Sequence, residues 1–328
     1  MIDVSVLIVV RNEESYIIDC IKSIENQFVN TELNWELLIV DGVSEDNTIS
    51  IAKSYLQSRD FSYSILSNPK KTLAPGWNIG IIESRGEFVV RPDAHATLHD
   101  SYINNGILFL RENHDIIAVG GILDTKAKGF WGNIIKVALS SKVGVGNSSF
   151  RTGVKSGISD TAVYAVYRKK IFNQVGYFNE KLVRHQDNDM HKRIKNEGGK
   201  FYLNVNMKAD YYCRDSYKKL MNQMYNIGRY LPDVMFDGSL SIRHLIPFLF
   251  CFSLMTGVLL SHLVHSIFGK LTLFVLLFYF FIITLESIYR VIINKKIALL
   301  LNIGIIPSIH FAYGIGTFVG LIKKKFKA

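Results

Sequence analysis

Between residues 87 and 100 the sequence reads EFVVRPDAHATLHD. A short β-type run, Phe88 to Val90, feeds into Arg91 and Pro92. It then offers a carboxylate, Asp93, and an imidazole, His95, separated by one residue. In an extended segment side chains two apart point the same way, so both can reach one cation. A carboxylate and an imidazole, completed by diphosphate oxygens, suit a hard divalent ion such as Mg2+ or Mn2+. A polar loop after a strand has the same composition, and spacing alone leaves both readings open. Arg91 is placed either to meet a phosphate or to form a structural ion pair.

Two more carboxylates stand where chemistry is feasible. In VDGVSEDNT, Asp41 closes an apolar run and precedes Gly42. It can accept from a base or a ribose, or simply hold the turn, while Ser44 and Asp46 are expected to cap the following helix. In FNEKLVRHQDNDMHKRIKNEGGKF, residues 178–201, a polar helix ends at a Gly-Gly stop. Asp187 lies near its start, where the helix dipole favours a negative charge and a general base can sit. Asp189 and Arg193 form an i, i+4 pair of structural character, and His185 and His191 are expected to be solvated.

The elements that must position these groups are legible around them. VSVLIVV (4–10), WELLIVDG (35–42), YSILSN (63–68) and GEFVVRPD (86–93) read as strands, the first two with the continuous apolar character of buried parallel strands. Between them lie three helical patterns. The first has Tyr16, Ile17, Cys20, Ile21 and Ile24 at helical spacing and Glu13 and Glu14 in its first turn; the second spans SEDNTISIAKSYLQS and the third APGWNIGIIES. This alternation predicts a doubly wound α/β sheet. Ligands of such sheets bind beyond the carboxyl ends of the strands, where Arg11, Asn12, Glu13, Asp41, Asp93 and His95 fall.

The 328 residues carry a net charge of +10, yet no nucleic-acid-binding motif is present and the basic residues are scattered, so nucleic acid is not an expected partner. A membrane-associated enzyme acting on anionic substrates accounts for the charge equally well. Cys20, Cys213 and Cys251 have neither metal nor redox spacing, which suits a reducing compartment. The first residues lack a signal-peptide pattern, so the folded domain is expected in the cytosol.

Beyond Arg243 the composition changes. Three apolar stretches, 245–268, 271–293 and 297–322, each reach the roughly 20 residues that cross a bilayer. The expected organisation is a catalytic domain over 1–240, a membrane-associated helical region over 245–322 and a basic tail over 323–328. Arg243, the Arg290/Lys295/Lys296 group and the KKKFK tail all favour the cytosolic side. Three full crossings put the tail outside, and the third stretch, interrupted by Pro307 and glycines, is the expected exception.

Taken in order, VSVLIVVRNEE, LLIVDGVSEDNT, NIGIIESRGEFVVRPDAHA, GVGNSSFRTG, VGYFNEKL and RHQDNDMHKRI resemble the inverting glycosyltransferases of family 2 with a GT-A fold, especially bacterial exopolysaccharide enzymes of the succinoglycan type. The resemblance covers about residues 3–230. It implies that Asp41 contacts the nucleotide base or ribose, and that Arg11, Asn12 and Glu13 line the nucleotide pocket. It further implies that Asp93 and His95 bind Mg2+ or Mn2+ against the donor diphosphate, and that Asp187 is the general base. Four departures stand out: Gly42 for the second Asp of the first motif, His95 for the last Asp of D-x-D, Gln186 for the Glu beside Asp187, and QMYNIGRY (223–230) for Q-x-x-R-W.

What the resemblance implies is transfer of a sugar, with inversion, from a nucleotide-diphosphate donor such as a UDP-sugar. The acceptor would be a glycan or polyprenyl-diphosphate-linked, for exopolysaccharide, capsule or cell-surface glycan. The enzyme would be a multi-pass membrane protein with a cytoplasmic catalytic domain. The rival reading is a catalytically weak, membrane-anchored nucleotide-sugar-binding scaffold, which the Gly42, His95 and Gln186 departures favour. A soluble nucleotidyltransferase would need a Gly-rich phosphate loop after the first strand, where VVRNEE stands instead.

Overall fold

A strand as uniformly apolar as VSVLIVV is stable only between two others. In the computed structural model, which describes residues 2–146, 155–237, 240 and 244–326, β1 (Val4–Val10) lies between β2 (Trp35–Asp41) and β4 (Phe88–Val90), parallel to both. β3 (Ser62–Ser67) extends this half, parallel to β2. The connecting helices are Ile17–Glu25, Thr48–Leu56 and Leu73–Glu83. The last packs close against β1: a Cβ added at Gly80 would collide with the Leu7 side chain.

The other half of the sheet is antiparallel. β5 (Ala96–Leu98), β6 (Ile116–Lys126), β7 (Gly157–Ser159), β8 (Val166–Arg168) and β9 (Lys200–Tyr212) complete it among the described residues. The order is β3-β2-β1-β4-β8-β6-β9-β5, with β7 on β9. β8 runs antiparallel to both β4 and β6, and β9 antiparallel to β5 and β7. Leu7, Trp77, Val89, Tyr167, Phe172, Phe178, Met190 and Phe201 form much of the core beneath it.

Several expected boundaries shift, each for a local reason. β4 stops at Val90 instead of running to Asp93, because Arg91 turns into the core and Pro92 has no N–H for a ladder. The first helix starts at Ile17, so Glu13 and Glu14 precede it and Asp19 is the acid of its first turn. The polar helix expected over 178–201 is confined to Gln186–Asn196. Its upstream part is held open by Asn78, whose Nδ2 donates to the Phe178 carbonyl while its Oδ1 accepts the Phe178 N–H, both at 2.9 Å. His191 is buried rather than solvated. The glycine-rich GVGNSSFRTG piece and Arg243 fall largely or wholly outside the described residues.

The chain divides into two compact units, the described parts of 1–124 with 149–212 and those of 125–148 with 213–328. The second contains the helices Gly129–Leu139 and Tyr217–Arg229 and the apolar C-terminal helices. Ile246–Leu263, Ile267–Asn294 and Ile297–Lys325 are each long and apolar enough to cross a membrane. Glu286, the acid within the second of these, accepts from Ser141 Oγ at 2.7 Å and from Arg290 Nε at 2.8 Å, the pairing a carboxylate in an apolar setting requires. Pro307 does not end the last helix, which is continuous from Asn302 to Lys325. All three cysteines are free.

Candidate active site

β1, β2 and β4 point the same way, so the loops after them gather at one edge of the sheet. The first two loops are laced together. Asn12 N–H donates to Ser44 Oγ at 3.1 Å, and Glu45 N–H returns to Asn12 Oδ1 at 2.8 Å. Ser44 Oγ in turn donates to Asp41 Oδ1 at 2.7 Å, and Ser44 N–H lies 3.1 Å from the same oxygen. Asn12 and Val43 adopt φ of 57° and 60° to make these turns, a region that a β-branched residue rarely occupies. Ser44 therefore serves the Asp41 carboxylate rather than capping the helix. Asp46 does act at the helix start, with its Oδ1 accepting the Thr48 N–H at 3.0 Å. Arg11 extends to Glu45 at 3.7 Å on the open surface.

Glu13 joins this cluster to the third loop. Its N–H donates to Thr48 Oγ1 at 2.7 Å, and its Oε1 lies 3.2 Å from His95 Nδ1. A carboxylate only accepts, so Nδ1 is the nitrogen carrying the proton in the neutral ring and Nε2 presents its lone pair. That nitrogen is 3.9 Å from Asp93 Oδ2, which also accepts from the Tyr164 hydroxyl at 3.0 Å. Tyr16 and Tyr211 flank the imidazole, with ring centroids 6.4 and 5.8 Å away. A hard cation with bonds of about 2.1 Å spans donors up to about 4.2 Å apart, so Asp93 and His95 fit one shared ion. Among the described residues no group of three or more His, Cys, Asp or Glu is poised for a metal. Cys20 lies under the loop with its Sγ 3.6 Å from the Asp93 carbonyl; burial, and then the nearby Asp93 charge, push its thiol pKa far up, so it stays a thiol.

Asp187 occupies the first turn of Gln186–Asn196. Its Oδ1 accepts from Arg91 Nη2 at 2.5 Å. The Asp187 side chain is 46% exposed and that of Arg91 only 5%. The guanidinium carbon lies 4.2 Å from the Trp77 ring centroid, 4.7 Å from that of Phe178 and 5.5 Å from that of Tyr167. Burial works against its charge, but the adjacent Asp187 carboxylate more than offsets this and pushes the guanidinium pKa up. Neighbouring Gln186 turns inward, with its Nε2 donating to the Val183 carbonyl at 2.8 Å; Asp189, the other acid of this turn, is paired with Arg193 at 2.8 Å. Deeper still, Tyr167 Oη lies 2.8 Å from His191 Nε2 and Thr161 Oγ1 3.0 Å from Nδ1. Burial pulls the His191 pKa down to about 4.

The sequence-predicted residues thus form a joined set of Asn12, Glu13, Asp41, Asp93 and His95, with Arg11 at its margin and Asp187 tethered to Arg91. Sequence reasoning missed Tyr164 as a partner of Asp93, the Glu13 contact to His95, and Trp77 and Phe178 as the walls around Arg91. Nothing in residue spacing points to Tyr164 or Trp77. The Arg91 ion pair was one of two readings left open.

Residues 5–176 match the model of Glycosyl transferase family 2. The chain is 28% identical over 327 residues, 98% of its length and 97% of the relative's, to dolichyl N-acetyl-alpha-D-glucosaminyl phosphate 3-beta-D-2,3-diacetamido-2,3-dideoxy-beta-D-glucuronosyltransferase of Methanococcus voltae. It is 27% identical over 225 residues, 66% of each chain, to succinoglycan biosynthesis protein ExoA of Rhizobium meliloti. Among solved structures, GalNAc-T7 with UDP, GalNAc and Mn2+ superposes with a TM-score of 0.53 at 15% identity, covering 71% of this chain and 48% of that one. Staphylococcus aureus TarS 1–349 in complex with UDP gives 0.50 at 13% identity, covering 99% of this chain and 92% of the other. At such identities the superpositions speak for the fold alone. The chain belongs to glycosyltransferase family 2: it is a glycosyltransferase with a GT-A catalytic fold, followed by three helices apolar enough to span a membrane.

Proposed function

We propose that this enzyme transfers a sugar from a nucleotide-diphosphate donor, a UDP-sugar in the simplest case, to a lipid-linked or glycan acceptor at a membrane, with inversion at the anomeric carbon. The observation that carries the reading is the convergence of Glu13, Asp93 and His95 at the carboxyl edge of the parallel strands. Arg11, Asn12 and Asp41 line the nucleotide end of this cleft. Asp93 Oδ2 and His95 Nε2 would hold Mg2+ or Mn2+, with Glu13 fixing the imidazole tautomer from behind. Such an ion, when bound, would supply charge neutralisation for the nucleoside diphosphate leaving group.

Asp187 takes the acceptor's proton. Arg91 occupies Oδ1, and Oδ2 has no hydrogen bond among the described residues, so Oδ2 is the atom that accepts. As the hydroxyl loses its proton, its oxygen bonds the anomeric carbon from the face opposite the diphosphate, the bond to the diphosphate oxygen breaks, and configuration inverts. The Methanococcus voltae relative, matched along nearly its whole length, is named for a dolichyl-phosphate-linked acceptor, which supports a lipid-linked acceptor here. The apolar helices support a multi-pass anchor, with the catalytic domain on the cytoplasmic face.

The test is a panel of nucleotide sugars, with lipid-linked and glycan acceptors, offered to the full-length protein in membranes with Mn2+ or Mg2+. Wild type turns over at least one donor. Asp187→Asn keeps an oxygen facing Arg91 while removing the base, and abolishes that turnover. Undiminished transfer by Asp187→Asn refutes the base assignment. No turnover with any donor favours the scaffold reading.

A further inference from the structure

We propose that Arg91 is the positioning residue of Asp187, so that the one loop that carries the metal pair also aims the catalytic base. This rests on the reading of Asp187 as base, and it deepens that reading by making the Arg91 contact a requirement for the rate.

The ion pair is asymmetric. A pair that only consolidates a core buries both members; here the cation is enclosed and the acid is half exposed. Arg91 is closed in by Trp77, Phe178 and Tyr167, so a donor phosphate has no path to it. Its Nε is buried without a hydrogen-bond partner, which costs stability. Even so, Nη2 makes a 2.5 Å contact with Asp187, and Tyr167 is the other polar side chain that interacts with the guanidinium. With Oδ1 held by Arg91, Oδ2 is the oxygen without a hydrogen bond among the described residues, on a side chain that is half exposed.

The connectivity extends the argument. Arg91, Asp93 and His95 occupy alternate positions of one short loop between β4 and β5, whereas Asp187 comes from a helix 96 residues further on. The ion pair ties that helix turn to the loop. A shift of the loop that displaces Asp93 and His95 therefore displaces the base as well.

The experiment compares Arg91→Met, Arg91→Lys, Asp187→Asn and the Arg91→Met/Asp187→Asn double variant as full-length protein, reading kcat, donor KM and thermal midpoint. A misplacement near 1 Å costs about 10²-fold in rate. Arg91→Met should lose about that much in kcat with donor KM within about 3-fold, and Arg91→Lys should recover part of it. The double variant should be no slower than Asp187→Asn, because Arg91 acts through the carboxylate. A merely structural arginine instead lowers the thermal midpoint, moves KM and kcat together, and multiplies its loss onto the Asp187→Asn background; that pattern overturns the proposal. So does wild-type kcat in a folded Arg91→Met. If Arg91→Met does not fold, Arg91→Lys decides: a kcat about 10-fold down at unchanged donor KM supports the proposal, and an unchanged kcat overturns it. An active Asp187→Asn is a separate failure, that of the base reading itself.

Discussion

Arg91 Nη2 lies 2.5 Å from Asp187 Oδ1, with the arginine enclosed by aromatic rings and the aspartate half exposed. The nearest of those rings, Trp77, belongs to the helix Leu73–Glu83 and is itself buried against Phe178 at 4.9 Å between centroids. The indole therefore supports the fold and the guanidinium at once.

Trp77→Ala should accordingly cost about 3–5 kcal/mol of stability and, in the fraction that folds, lower kcat in the direction of Arg91→Lys. Trp77→Phe keeps a ring face and should lose much less of either. Differential scanning fluorimetry and kcat on the same preparations check this. A Trp77→Ala protein with an intact kcat would separate the aromatic wall from the chemistry.

In the proposed reading His95 Nε2 is the metal ligand beside Asp93 Oδ2, and that geometry makes a prediction about metal use. His95→Asp replaces one hard-ion ligand by another and should keep divalent-dependent transfer. His95→Ala should raise the Mn2+ concentration for half-maximal activity by at least about 10-fold. Glu13→Gln weakens the hold on the ring from behind and should move the same midpoint by a smaller factor. Titration of turnover against Mn2+ reads all three; an unmoved midpoint in His95→Ala removes His95 from the metal site.

Most of what the sequence disclosed came from strands buried on both faces. β1 and β2 were legible because each holds an unbroken apolar run, residues 6–10 and 37–40, and Asp41, Asp93 and the Arg11–Glu13 segment could be placed at or just beyond strand ends for that reason. Strands of three residues, such as β5, β7 and β8, carry too little pattern to be seen. In β6 the pair Gly120–Gly121 breaks the apolar run, although a Cβ at Gly121 would strike the Met207 backbone carbonyl, so the glycine permits a close strand contact. The polar composition around His191 points to a solvated ring, and the structure buries it. Its burial is decided by Phe201 and Tyr167, whose rings lie 4.4 and 6.4 Å away and come from other strands. The Arg91–Asp187 pair joins residues far apart in the chain, and no local pattern encodes it.

His191 gives a pH prediction with a definite sign. In the fold its pKa is lowered from 6.5 to about 4, first by burial, with Arg91 and Lys195 also lowering it and Asp187 opposing them. The unfolded chain therefore takes up a proton before the folded one can. The neutral ring's contribution is fully present above pH 6.5 and is lost as pH falls toward 4, amounting to about 3 kcal/mol at most. The thermal midpoint of the wild type should drop over that window. His191→Gln, which keeps hydrogen bonding to Tyr167 and Thr161 without titrating, should flatten the drop. Equal slopes in the two proteins would remove His191 as its source.

The last prediction concerns the C-terminal unit. Helix Tyr217–Arg229 meets Asn302–Lys325 across a seam of glycines: a Cβ at Gly228 would collide with the Tyr313 carbonyl, one at Gly316 with that of Tyr225, and one at Gly320 with that of Arg229. Backbones approach this closely in apolar helix pairs only where side chains are absent. Backbone carbonyls cannot move aside as a flexible side chain can, so Gly316→Leu should cost at least the 1–3 kcal/mol or so typical of overpacking. Gly304, on the same helix, has nothing within 4 Å of where its Cβ would be, and Gly304→Leu should leave the melting temperature near that of the wild type. The paired measurement is the thermal midpoint and the rate of limited proteolysis near residue 230 in detergent. Because Gln223 and Arg229 ride on the seam helix, Gly316→Leu should also free that segment to cleavage, and equal behaviour of the two variants would dismiss the seam.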